Sequence, residues 1–230
     1  MTIITEETRA RVVRLDAGAF SEAKAILYRA YKHEPTFKYL FEFERPGYDQ
    51  RVRATIRELL NLHFGTGQDV IGLALDNHLI AVAMLGSPVV RLDLARQLNW
   101  RMRMMLTAGM DCTWRYINYY KQIHKLLPEA QHHELPLMGV DEKYRNMGYG
   151  KQLMLAIDQI CRENPRSVGM GLDTGNARYL DFYAKLGYRV IGQVKLGEVV
   201  ESVLFKSFAG QTEPDADVVV PDQDRVNGLV

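Results

Sequence analysis

The sequence predicts one mixed α/β domain, a β-sheet carrying helices on both faces, and three observations predict it. Two alternating apolar runs, Val70 to Leu75 and Leu79 to Leu85, meet across Asp76-Asn77-His78 in the manner of a hairpin. An apolar run from Leu135 to Val140 passes through a glycine-bearing turn into a periodic helix with Leu153, Ile157, Ile160 and Cys161 on one face. Between these units, residues 91 to 128 replace the strand rhythm with helical stripes. At 230 residues the chain can bury a full core, and one large domain with an insertion fits better than two small ones.

In chain order, residues 1 to 8 read as an extension, Arg9 to Leu15 as a first strand, and Ala17 to Tyr31 as an amphipathic helix. A second helical block runs from Glu34 to Leu62, interrupted near Pro46-Gly47. The hairpin follows, then the insertion with its two stripes: Leu94, Leu98, Met102 and Met105, and Cys112, Tyr116, Tyr119, Ile123 and Leu127. Gly109 separates them, Asp111 is a candidate cap for the second helix, and Pro128 stops it. The remaining elements are a strand over 132 to 140, the Gly148 helix, a strand over 167 to 173, a helix from Asn176, and a final pair over 188 to 196 and 199 to 208. Residues 209 to 230 are acidic and Pro-bearing, and read as a flexible tail.

Composition excludes several classes. Twenty-nine Lys and Arg against 28 Asp and Glu give net charge +1, so no global field draws the chain to nucleic acid or to an anionic membrane. The insertion is locally basic, with Arg91, Arg96, Arg101, Arg103, Arg115, Lys121 and Lys125 against Asp93 and Asp111; a solvated face is the expectation there. Cys112 and Cys161 lack metal-ligand spacing and suit buried thiols in a reducing compartment. No basic leader precedes an apolar stretch and no apolar run approaches a membrane span, so the expected location is the cytoplasm.

The chemistry concentrates at Val140 to Lys151. A strand, a glycine turn and a helix make an anion site. Gly148 and Gly150 let the backbone approach a ligand, and first-turn amides without intrahelical acceptors point outward at the positive end of the dipole. Two nucleotide motifs are excluded: Gln152 stands where a Walker loop needs Ser or Thr, and Leu153 where a dinucleotide fingerprint needs a third glycine. What stands here is Arg-x-x-Gly-x-Gly from Arg145, five residues after Val140. This resembles the acetyl-coenzyme A signature of the GNAT superfamily of N-acetyltransferases. Residues 132 to 140 look like that family's fourth strand, and Leu172-Asp173-Thr174, Asn176 and Phe182 to Tyr188 look like its second motif. The two blocks span residues 132 to 188, weaker similarity extends over 9 to 208, and the flavour is that of the puromycin-acetyltransferase-like branch.

The resemblance implies a mostly antiparallel sheet of about seven strands, splayed between the fourth and fifth, with the insertion between the third and fourth. It implies that the main chains of Met138 and Val140 hold the pantetheine arm, with the Val140 N–H polarising the thioester carbonyl. The pyrophosphate falls to the amides of Arg145, Asn146, Met147, Gly148, Tyr149 and Gly150, with charge from Arg145 and Lys151. Asn176 caps its helix and touches pantetheine, and Tyr183 protonates the departing sulfur. Strand alternation puts His132, Glu134, Pro136, Met138 and Val140 on one face; Pro136 stands where some relatives carry a base, which makes Glu134 the candidate base.

The expected function is acetyl-coenzyme A-dependent acetylation of a primary amine, by direct attack in a ternary complex and without a metal. A small-molecule acceptor is the first expectation, because a 38-residue insertion suits an enclosed pocket; the chain would act as a monomer or homodimer. Acetylation of a protein amino terminus or lysine is the alternative, and a non-catalytic acyl-coenzyme A-binding module is the alternative of another class. The insertion, with Phe37, Tyr39, Phe41 and Phe43, is a candidate lid.

Overall fold

The computed structural model describes residues 10–89 and 94–208; the extension, Arg91, Asp93 and the acidic tail lie outside the described residues. Seven strands form one sheet: β1 (Arg11–Arg14), β2 (Asp69–Leu75), β3 (His78–Gly86), β4 (His133–Val140), β5 (Gly169–Thr174), β6 (Arg189–Leu196) and β7 (Val199–Ser207). Their order is β1-β2-β3-β4-β5-β7-β6. Every pair is antiparallel except β4 with β5. The β2–β3 turn places Asp76 and Asn77 at positive φ, the left-handed pair a two-residue hairpin of this twist requires.

One face carries α1 (Phe20–Tyr31), α2 (Pro35–Leu40), α3 (Tyr48–Gly65), α4 (Leu94–Ala108) and α5 (Met110–His124), sharing a cluster with Leu27, Phe41, Ile56, Met84, Met104 and Ile117. The other carries α6 (Tyr149–Arg162), whose Leu153, Met154, Ile157 and Cys161 are fully buried, with Ile160 half-buried at the edge. A short helix, α7 (Leu180–Lys185), leads into Leu186 on this side.

Two features place the site. First, β4 and β5 pair only at His133–Met170 and Glu134–Gly171, after which they diverge and β5 continues alongside β7. Second, β4 carries a bulge: Met84 faces Leu137 and Gly86 faces Glu134, so Leu85 of β3 alone opposes Leu135 and Pro136 of β4. This corrects the expectation of one continuous face. The extra residue inverts the alternation, so Glu134 lies with the α5 side while Met138 and Val140 pack toward the α6 cluster.

The insertion needs a second correction. Leu94, Leu98 and Met102 are 74%, 62% and 57% exposed, and the buried face of α4 is instead Gln97, Trp100, Met104 and Ala108. Both stripes have helical spacing. Partners decide between them: Trp100 packs against Tyr116, and Arg103 donates to Glu58 of α3 at 2.6 Å. On α5 the predicted stripe is the buried one, while the N-cap is Gly109 and Asp111 lies in the first turn. Because Trp100, Met104, Cys112, Tyr116 and Ile117 belong to the main core, the two helices are a wall of the fold rather than a lid. Phe37 and Phe41 are core as well, and Tyr39 and Phe43 are exposed.

Candidate active site

The loop after β4 is shaped by its own side chains. Asp141 accepts from the Lys143 N–H at 3.1 Å, closing a short 3-10 turn, and from Arg29 at 2.5 Å. Burial works against its charge, but those bonds and the Arg29 guanidinium outweigh it and hold the carboxyl below its usual range. Arg145 donates to the Val140 carbonyl at 3.3 Å, folding the loop back on the strand. Asn146 and Gly148 both adopt left-handed φ, which turns the chain into α6. The first intrahelical bond runs from the Gln152 N–H to the Gly148 carbonyl, so the amides of residues 146 to 151 have no helical acceptor, whereas the Arg145 N–H closes the 3-10 turn on the Glu142 carbonyl at 3.5 Å. A Cβ at Gly148 would meet nothing within 4 Å, whereas one at Gly150 would touch Val140 and Phe182 at 3.7 and 3.8 Å. Arg145 to Gly148 and Lys151 are exposed, and Tyr149 and Gly150 half-buried. Such an open row of amides beside two cations fits a phosphate group.

Where β4 leaves β5, alternate amides lose their partners. Asp141 donates to Ile80 of β3, so the Val140 N–H points the other way, into the gap. The Met138 N–H points there too, and it donates to the Tyr31 hydroxyl at 3.0 Å. Across the gap, Asn176 caps the turn before α7 by accepting from the Arg178 N–H, and its amide donates to Glu34 at 3.1 Å. Tyr183 sits half-buried between Phe182 and Tyr188. Its hydroxyl has no hydrogen-bond partner among the described residues. Burial, then the charges of Asp173, Tyr179 and Glu34, push its pKa up, so it remains a proton donor throughout the physiological range.

Glu134 is flanked by imidazoles, with His124 Nε2 at 3.3 Å and His132 Nε2 at 3.9 Å, and the Tyr120 hydroxyl lies close enough to feel its charge. Burial would raise its pKa, but His124 above all, with His132 and His63, lowers it. Sequence reasoning missed a second carboxylate centre. Asp173 on β5 accepts from the Tyr119 hydroxyl of α5, Glu201 on β7 accepts from the Thr36 hydroxyl of α2, and the two carboxyls are hydrogen-bonded to each other. Burial raises both; the charge of Asp173 adds to it at Glu201, which reaches about 9, while at Asp173 the hydrogen bonds from Glu201 and Tyr119 work against it, so the pair holds one proton at neutral pH. A signal was present, since Glu201 is a charge inside the apolar run Val199 to Leu204 and is 1% exposed. Both cysteines are buried and their thiols are raised by burial, which makes them unreactive. Among the described residues no cluster of His, Cys, Asp and Glu has the geometry to hold a metal ion, and no helix is long and apolar enough to cross a membrane.

The splayed strands, the left-handed loop and the helix behind it define an acetyltransferase of the GNAT type. The profile of the Acetyltransferase (GNAT) family matches residues 28–188, and the chain belongs to that family. No protein in the curated set matches it in sequence. Solved structures share the fold at low identity. A histone acetyltransferase HPA2 and related acetyltransferase from Corynebacterium glutamicum aligns with TM-score 0.64 at 16% identity, over 90% of this chain and 98% of that one. An arylalkylamine N-acetyltransferase 2 from Aedes aegypti gives 0.58 at 13%, over 86% and 99%. A PaiA N-acetyltransferase from Thermoplasma acidophilum, in complex with coenzyme A, gives 0.53 at 15%, over 87% and 99%.

Proposed function

We propose that the chain transfers an acetyl group from acetyl-coenzyme A to the primary amine of a small molecule, by direct attack. The observation that carries this reading is Tyr183: an unpartnered, firmly protonated hydroxyl beside the gap between β4 and β5, close enough to Tyr31 to perturb it. Residues 145 to 151 would hold the pyrophosphate, and the outward amides of Met138 and Val140 the pantetheine arm. The bound thioester supplies the acyl group, and the chain's residues align it, exclude water and move protons. A small acceptor is favoured because the acceptor side is walled by α4 and α5, with Tyr119 and Tyr120 of α5 strongly desolvated, and one structure that shares the fold is an arylalkylamine N-acetyltransferase. The test is a panel of alkyl- and arylalkylamines, with a lysine peptide and an amino-terminal peptide as comparators, read by free-thiol release. Turnover confined to the peptides would replace the small-molecule reading.

A further inference from the structure

Two carboxylates lie near the gap, and their surroundings set them apart. Glu134 stands where β4 and β5 are still paired, with His124 at 3.3 Å and His132 at 3.9 Å from its oxygens and Tyr120 nearby. Asp173 stands two residues beyond Gly171, the last residue of β5 paired with β4, so it lies where the strands have separated. It faces Tyr119, Tyr116 and His124 of α5, Glu201 of β7 and Glu134 of β4, and its charge is felt by Tyr31 and Tyr183. It also keeps partial solvent contact although strongly desolvated, which puts it on the lining of a recess. Two hydroxyl groups, from Tyr119 and the protonated Glu201, leave further lone pairs on its carboxylate.

We propose that Asp173, backed by Glu201 and Tyr119, binds the ammonium of the acceptor and takes its proton, a role that rests on the acetyltransferase reading above. Asp173 accepts one proton from the ammonium, and the freed lone pair forms the N–C bond to the thioester carbon. The C–S bond breaks with its electron pair on sulfur, which takes the Tyr183 hydroxyl proton. The tyrosinate is reprotonated by the remaining excess proton on the product nitrogen, and Asp173 releases its proton to solvent. A base is most effective when its affinity for protons is near that of the medium, and burial moves Asp173 in that direction while His124 moves Glu134 away from it. The acceptor is therefore an amine that arrives as a cation and can lie against the half-buried rings of Tyr119 and Tyr31.

The experiment compares pH profiles of kcat/KM for wild type, Asp173→Asn, Glu201→Gln and Glu134→Gln on one accepted amine, with coenzyme A affinity by calorimetry as the control for folding. Asp173→Asn is expected to lose roughly 10²-fold or more at neutral pH and to lose the ascending limb, with coenzyme affinity kept. Glu201→Gln keeps the base but replaces the acidic hydroxyl that stabilises its charge with a weaker amide donor, so the limb moves to higher pH; Glu134→Gln changes the height of the profile and, by removing a nearby like charge, shifts the limb only slightly to lower pH without abolishing it. Turnover by Asp173→Asn within about threefold of wild type, or a limb lost in Glu134→Gln instead, overturns the assignment. If Asp173→Asn does not fold, an unmoved limb in Glu201→Gln overturns it. Coenzyme binding without turnover of any amine by the wild type would overturn the acetyltransferase reading itself, and this assignment with it.

Discussion

The hydroxyl of Tyr31 accepts the N–H of Met138 at 3.0 Å, so a side chain from α1 occupies one of the two amides that the splay of β4 leaves open. A ligand that uses this amide must displace it. Tyr31→Phe therefore leaves a buried donor unsatisfied in the free protein, a cost of about 1–3 kcal/mol that binding relieves. The expected result is a lower melting temperature without ligand and a larger upward shift with coenzyme A. Equal shifts in both proteins would show that the ligand leaves the Met138 amide alone.

Tyr183→Phe keeps the ring contacts with Phe182 and Tyr188 and removes only the hydroxyl. Turnover should fall by roughly 10² or more, the usual scale for a positioned acid, while coenzyme affinity holds. Because a thiolate leaves more readily unprotonated in alkaline solution, the defect should narrow as pH rises. Wild-type turnover across the pH range would make Tyr183 a packing residue.

Stability should peak near neutral pH. The Asp173–Glu201 pair binds more protons folded than unfolded between the ordinary carboxylate range and pH about 9, so stability falls as pH rises through that window, by at most about 1.4 kcal/mol per unit for one proton. His63 and His133, each lowered to about 4 chiefly by burial, are neutral when folded and protonated when unfolded below about pH 6.5, so stability also falls on the acid side. Glu201→Gln should flatten the alkaline side and steepen the acid side, where the two histidines then act unopposed. Melting temperatures measured from about pH 4 to 9 decide; a wild-type curve rising steadily to pH 9 would rule out the shared proton.

At Gly148 the backbone is left-handed but the space is open. Gly148→Ala should cost about 1 kcal/mol of stability from backbone strain, without a clash in the free protein. A bulky residue such as Phe should add loss of coenzyme affinity by covering the outward amides. Unchanged affinity in folded Gly148→Phe would remove this loop from the phosphate site.

The two stripes of α4 make opposite predictions. Leu98→Lys, on the exposed stripe, should change stability by no more than about 0.5 kcal/mol, while Trp100→Ala, 4% exposed against Tyr116, should cost about 3–5 kcal/mol. Denaturant unfolding of the two variants distinguishes the faces.

Element order, the β2–β3 hairpin, the β4-loop-α6 unit and the position of the insertion are legible in the sequence because each has local cause: alternation, a left-handed turn pair, or a helical stripe beside glycine. The α4 face was not legible, since apolar residues lie on both sides and α3 makes the choice through Glu58 and Arg103. Nor was the side to which Glu134 points, because the register depends on pairing with β3; Pro136, which cannot donate to the ladder of a central strand, was the one local sign of the bulge. Tyr31, Thr36, Tyr119 and Glu201 lie on four elements that meet Asp173 and Met138 only through tertiary packing; just Glu201, a charge in an apolar strand, announced itself.

The insertion interrupts the sheet in sequence, yet Tyr119 reaches Asp173 while Trp100, Met104 and Tyr116 fill the core beneath. It is consequently a poor cassette. Exchanging residues 94–124 for another segment would empty the interior and disconnect the carboxylate pair at once, so altering acceptor range by loop grafting should yield unfolded chains. Retuning has to proceed by single replacements of half-buried rings, and a change at Tyr120 would reshape the recess while leaving the scaffold standing.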